Sequence, residues 1–226
     1  MARADLLRVW TSLLAAVLVA SLLIAAALST GAAAREAGCR GQVVLDAGHG
    51  GSDSGAVNAR YGLKEKEHTL DVARRLKTLL EADGHAVCMT RTGDETLSNN
   101  DRYAYANTTG AEILVSVHMD GSSDPAPDYT TTLFGKWRKD KELALKVFDG
   151  LTTLPAADGA ETMRTRAPYS FASGVLLKSD MPATIAETVF ITSDSEGRLL
   201  SDGTGARQQQ IAGALRTGIE DYLAAH

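Results

Sequence analysis

The 226-residue chain holds only two cysteines, Cys39 and Cys88, too few for a thiolate metal site. It lacks a Gly-x-Ser-x-Gly elbow and any reactive Cys-His arrangement, so neither a serine nor a cysteine nucleophile has support. Basic residues are in deficit: 23 Lys and Arg stand against 28 Asp and Glu, a formal charge of -5, and no basic stripe is present to track phosphates. A nucleic-acid partner is therefore not expected. Internal repeats and a second module are also missing, and the length suits one domain with a substantial core, expected to act as a monomer.

Charge is absent altogether from residues 9–34, which follow Arg3 and Arg8. The densest apolar part covers residues 13–28 and gives way to Ser29-Thr-Gly-Ala-Ala-Ala34. A basic start, an apolar stretch and a small-residue Ala-x-Ala site make residues 1–34 a secretory signal peptide. The alternative is an uncleaved membrane anchor, for which residues 9–28 supply the length. A short linker, residues 35–41, leads into a folded domain over residues 42–226. Lipidation at Cys39 is rejected, because Arg35 and Glu36 separate it from the apolar run. Export gives the cysteines a different meaning. Cys39 precedes the first strand and Cys88 lies in the next one, so if those strands are parallel neighbours an oxidising compartment joins the thiols.

The sequence Val43-Val-Leu-Asp-Ala-Gly-His-Gly-Gly-Ser-Asp53 is the centre of the domain. A short apolar run stops at Asp46 and opens into a glycine-rich turn carrying His49, which places that histidine at a strand's carboxyl end, where open α/β sheets put their ligands. Leu70, Ala73, Leu76 and Leu80 then recur at helical spacing, with Glu65 and Glu67 in or just before the first turn, where a capping role is the plain account. Gly84 ends that helix, and residues 86–90 form a strand. Residues 97–108 read as a helix with Arg102 on its polar face. Residues 113–117 read as a strand that delivers His118 at its tip, repeating the geometry of His49.

Residues 122–128, with Pro125 and Pro127, are loop. Residues 129–134 read as a strand, 139–154 as a helix, 158–169 as a surface segment near the site, and 175–178 as a short strand. Residues 183–191 form a last strand in which Glu187 interrupts an apolar run. A carboxylate there must meet a cation, a metal or a proton, or else form a structural salt bridge. Helices over 196–200 and 206–223 close the chain. The expected fold is an α/β single domain: a mixed, mostly parallel sheet of about six strands with helices on both faces.

Two histidines, an acidic residue and a water make a common catalytic zinc set, and a nearby carboxylate can take and return a proton; that chemistry hydrolyses amides. The ordered motifs Leu45-Asp-Ala-Gly-His-Gly-Gly-Ser-Asp-Ser-Gly55, Glu65-Lys66, Thr90-Arg91, Arg102 with Ala106-Asn107, Ser116-Val-His118, and Met181-Pro182 with Glu187-Thr-Val-Phe-Ile191 resemble those of the amidase-3 type zinc N-acetylmuramoyl-L-alanine amidases. The resemblance implies Zn2+ as cofactor, with His49, Glu65 and His118 as its ligands and Glu187 as the catalytic carboxylate. It implies peptidoglycan or a muropeptide as substrate, cut between N-acetylmuramic acid and the L-alanine of the stem peptide by an exported enzyme. The rival expectations are a zinc peptidase acting within the stem peptide and a non-catalytic wall-binding protein of the same fold. Ala47, Thr69, Asp120 and Ser193 depart from the family's usual residues, and none of them is a ligand.

Overall fold

A computed structural model describes residues 38–226. The leader read over residues 1–34 lies outside the described residues, as does the linker up to residue 37. Among the described residues there are eight strands, β1 (Val43–Ala47), β2 (Val57–Asn58), β3 (Leu63–Lys64), β4 (Val87–Met89), β5 (Ile113–Asp120), β6 (Thr131–Phe134), β7 (Tyr169–Ser170) and β8 (Ala183–Phe190). Six helices join them: α1 (Glu65–Ala82), α2 (Asn99–Thr109), α3 (Trp137–Leu151), α4 (Gly174–Lys178), α5 (Asp194–Leu200) and α6 (Ala206–Leu223).

The main sheet has six strands in the order β4-β1-β5-β8-β6-β7, while β2 and β3 form a separate hairpin. The four strands from β4 to β8 are mutually parallel; β6 runs against β8, and β7 is parallel to β6. The β1 and β5 strands are central and covered on both sides, which is why their sequences read as continuous apolar runs. Val43, Leu45 and Ala47 face one layer with Leu76, Leu80, Val147 and Ile211, packing the sheet against α1, α3 and α6. Val44, Leu114 and Ile185 face the other, against Tyr105 of α2 and Leu176 of α4. The expected single α/β domain with a six-stranded mixed sheet and helices on both faces is the fold observed.

Cys39 and Cys88 form a disulfide with their Cα atoms 6.0 Å apart. Val44 pairs with Cys88 in the β1–β4 ladder, so the expected adjacency of the two strands holds. Among the described residues no helix is long and apolar enough to cross a membrane.

Three local expectations need correction. Residues 175–178 are helical: Gly174–Lys178 is one short turn of helix in which the Ser179 hydroxyl donates to the Val175 carbonyl at 2.5 Å. A Val-Leu-Leu run carries no periodicity that separates a buried strand from a buried helical turn. The fifth strand does not stop at Val117; it runs on to Asp120, because β8 keeps pairing with it through a bulge between His118 and Asp120. Arg102 is not on a polar face: it is 5% exposed and turned into the core toward Asp46.

Candidate metal centre

The turn after β1 is built to hold His49 in a conformation it would not choose. Its φ is 59°, in the left-handed region that costs a non-glycine residue on the order of 1 kcal/mol. Two buried arginines fix the surrounding carbonyls. Arg91 donates to the carbonyls of Ala47 and Gly48, each at 2.9 Å. Arg102 donates to those of Ala47 and His49, each at 2.8 Å. Arg102 also pairs at 2.8 Å with Asp46, which is fully buried and accepts from Thr90 and Ser116 at 2.6 Å each. Burial pushes the Asp46 carboxyl up, but the Arg102 charge and the two hydroxyl bonds outweigh it and hold the group below its ordinary value. The low-dielectric setting makes this charge network strong and also costly to break.

Glu65 is the first residue of α1, whose N-terminus has no side-chain cap. Its two oxygens reach away from the helix instead. One accepts from the Ala56 amide at 2.8 Å. The other accepts from the Met119 amide at 3.0 Å and lies 3.0 Å from His49 Nε2 and 3.1 Å from His118 Nδ1. Helix capping is therefore not what Glu65 does. Glu67 points to solvent and pairs with Lys64 at 3.6 Å. Burial opposes ionisation of Glu65, yet the bonds from His118 and His49 hold it down to about 2.

The donor atoms of His49, Glu65 and His118 all lie within 4.8 Å of one another. Two imidazole nitrogens and one carboxylate oxygen are a set that zinc accepts, with a fourth position left for water or substrate. The Nδ1 atom of His49 meets Asp53 at 2.9 Å, the outer carboxylate that fixes tautomer and ring direction in many histidine metal sites. Two glycines leave the necessary room. A Cβ on Gly48 would fall 2.4 Å from His118 Cε1, and one on Gly55 would fall 2.5 Å from Glu65 Oε2. On donor chemistry, spacing and this cradle, the residues fit a zinc ion.

Glu187 lies directly across from His118 in the β5–β8 ladder and across from Thr131 of β6. Burial pushes its carboxyl up to about 7, with Glu65 and Asp120 adding to the push and His118 opposing it. A cavity of about 320 Å³ opens beside Glu187, His49 and His118, with Leu133 and Ile185 among its apolar lining and Tyr169 and Phe171 on its wall. A second trough of about 540 Å³ borders the same three residues, with Ala56, Val57, Met119, Ser122 and Thr192 among the rest of its lining.

All four residues singled out in the sequence thus meet at one place. Asp46, Asp53 and Arg91 also shape the site and were not assigned a role by sequence reasoning. A signal existed for Asp46, since a carboxylate that ends a wholly apolar strand needs a buried partner. Nothing local pairs it with Arg102, which is 56 residues away in the chain.

A mixed α/β sheet that gathers two histidines and two carboxylates around the carboxyl ends of its parallel strands defines a class, the metal-dependent amide hydrolases. The chain belongs to the amidase-3 family: the family described as N-acetylmuramoyl-L-alanine amidase matches residues 43–221. Zinc dependence is general in that family, and peptidoglycan amidase activity follows from membership. N-acetylmuramoyl-L-alanine amidase AmiA of Escherichia coli (strain K12) is 30% identical, over 84% of this chain and 78% of that protein. Among solved structures, the catalytic domain of CwlV, an N-acetylmuramoyl-L-alanine amidase from Bacillus (Paenibacillus) polymyxa var. colistinus, is similar with a TM-score of 0.72 at 27% identity. It is matched over 81% of this chain and 98% of that one. The CwlD amidase from Clostridioides difficile, solved in complex with the GerS lipoprotein, gives a TM-score of 0.70 at 27% identity, over 81% of this chain and 98% of that one.

Proposed function

We propose that the protein is a zinc-dependent peptidoglycan hydrolase that cuts the amide between the lactyl group of N-acetylmuramic acid and the L-alanine of the stem peptide, with residues 42–226 as its catalytic domain. The observation that carries the reading is the convergence of His49, Glu65 and His118 within 4.8 Å, with Glu187 facing His118 on the adjacent strand. His49, His118 and Glu65 hold the ion, and Asp53 orients His49. A zinc ion held by these three residues would supply Lewis-acid polarisation of the scissile carbonyl and a water of lowered pKa.

Glu187 moves the proton. Its desolvated carboxylate accepts a proton as water adds to the lactyl carbonyl, then returns it to the amide nitrogen as the carbon–nitrogen bond breaks. The products are the lactyl carboxylate and a stem peptide with a free amino-terminal alanine. The cavity and the trough, which share His49, His118, Asp120 and Glu187, give the peptide and the sugar separate places to lie. Residues 1–34 export the chain, cleaved as a signal peptide or kept as a tether through residues 9–28. The Cys39–Cys88 disulfide suits the oxidising side of a membrane, and the enzyme works as a monomer.

Digestion of purified wall, analysed by mass, tests the reading. Stem peptides with a free amino-terminal alanine, released only when zinc is present, are expected. Fragments cut inside the stem peptide would support the peptidase instead.

A further inference from the structure

We propose that Arg166 determines substrate specificity by binding a carboxylate of the stem peptide just beyond the scissile bond, an inference that rests on the amidase reading above. The backbone of residues 164–166 is pinned beside the start of β6. The Thr130 amide donates to the Arg164 carbonyl at 2.9 Å, the Arg166 amide donates to the Thr130 carbonyl at 3.0 Å, and Thr130 bridges Thr165 in parallel. On its other side Thr130 donates its hydroxyl to the carbonyl of Glu187 at 3.2 Å. Arg166 is thus held two strand spacings from the Glu187 backbone, roughly 10 Å.

The side chain is exposed and has no bonded carboxylate, although the charge of Asp120 acts on it through space. Its guanidinium carbon lies 4.5 Å over the ring of Tyr169, and Nη1 donates to the Tyr129 hydroxyl at 3.4 Å. Among the described residues no carboxylate lies within 4.0 Å of it, whereas the exposed Arg60 and Arg164 pair with Asp194 and Asp158. Stacking on an aromatic ring fixes the plane of a guanidinium while leaving edge donors free, the arrangement that receives a carboxylate through two parallel bonds. Tyr169, which carries the guanidinium, is also a wall of the cavity bordered by His118 and Glu187.

The charge of the cleft sharpens the choice of ligand. Beyond the metal site, that cavity is lined by the carboxylates of Asp53, Asp120 and Glu187 and by one arginine, Arg102, which is buried and paired with Asp46, so a peptide carboxylate lying past the metal meets no free cation in the cavity itself. With the scissile nitrogen beside Glu187, an extended chain advances about 3.3 to 3.6 Å per residue, so the second stem residue comes within the span of the arginine side chain. The free carboxylate of that residue is the group the geometry selects; a carboxamide there would lose the charge and one acceptor.

Two synthetic muramoyl peptides that differ only by carboxylate or carboxamide at the second stem residue test this on the zinc-loaded enzyme. The wild type is expected to favour the carboxylate in kcat/KM by roughly 2- to 5-fold, the span of an ion pair made by an exposed arginine. Arg166→Gln should bring that ratio near one through KM, with the melting temperature kept, and Arg166→Lys should restore part of it. A wild-type ratio near one, or a ratio that survives in Arg166→Gln, overturns the proposal. Calorimetric binding of the two free stem peptides to both proteins separates this from the amidase reading. If neither muramoyl peptide is cleaved, the amidase reading fails, and the presence or loss of the carboxylate preference in binding still decides the role of Arg166.

Discussion

Replacing Arg102 by methionine removes one partner of a buried ion pair while keeping most of the side chain's length. Asp46 is then left with its charge at zero exposure and only the Thr90 and Ser116 hydroxyls for support. Breaking such a pair costs about 3 to 5 kcal/mol. In a domain of this size each kcal/mol shifts the midpoint by about 2 to 4 °C, so a drop of roughly 6 to 20 °C is expected. Relief of the repulsion between Arg102 and Arg91, whose guanidinium burial and Arg102 together push down to about 10, tempers the loss. The pH dependence carries a sign. In the wild type the folded Asp46 carboxyl sits below its unfolded value, so its contribution is present above about pH 4 and fades as pH falls through the folded value. The variant has the reverse preference and takes up a proton at Asp46. The gap between the two proteins is therefore widest at pH 7, narrows toward pH 4 as the variant gains stability, and narrows further below pH 4 as the wild type loses its own. Urea unfolding followed by circular dichroism, with Asp46→Asn/Arg102→Met as the closing corner of the cycle, measures it; a coupling of at least about 1 kcal/mol is expected. A loss under about 1 kcal/mol, or an equal loss at pH 3.5 and pH 7, refutes the reasoning.

Reducing the Cys39–Cys88 disulfide, which closes a separation of 49 residues, should lower stability by about 2 to 4 kcal/mol; equal urea midpoints with and without reductant would contradict this. Asp53→Asn should weaken zinc binding by about 10- to 100-fold by loosening the His49 ring, as read by competition with a chromogenic chelator. The Asp128 carboxyl is pushed up to about 7 by burial and by Glu196, with Arg207 pulling the other way. One of its oxygens lacks a hydrogen-bond partner among the described residues. Because its folded value lies above the unfolded one, wild-type stability is full near pH 4 and declines toward pH 7. Asp128→Asn should accordingly raise the melting temperature at pH 8 and leave it nearly level at pH 4.

The parts of the fold that were legible are those where one interaction dominates. Apolar runs announce β1, β5 and β8 because these strands are covered on both faces, and the three- and four-residue spacing of Leu70, Ala73, Leu76 and Leu80 announces α1. The two histidines could be read because each comes at the carboxyl end of such an apolar run, and Glu187 because it interrupts one. What stayed hidden depends on partners far away in the chain. Hairpin β2–β3 has two residues per strand, too few for any periodicity to register. Arg102 falls among polar neighbours on α2 and looks solvated until Asp46 is brought against it. Position at a helix start alone makes Glu65 a cap, and only the family motif marks it as a ligand, because the Ala56 and Met119 amides that claim it come from two other segments. Arg91 gave no local sign that its guanidinium closes over the Ala47 and Gly48 carbonyls.

The central claim is that His49, Glu65 and His118 hold zinc while Glu187 transfers the proton. Glu187→Gln tests it most directly when zinc content, melting temperature and wall turnover are measured on one preparation. The variant is expected to keep about one zinc per chain and its fold while losing on the order of 10² to 10⁴ in rate, the range for removing a general acid-base group. A variant that keeps its zinc and cuts wall at the wild-type rate, or one that loses the metal with the carboxylate, would contradict the account.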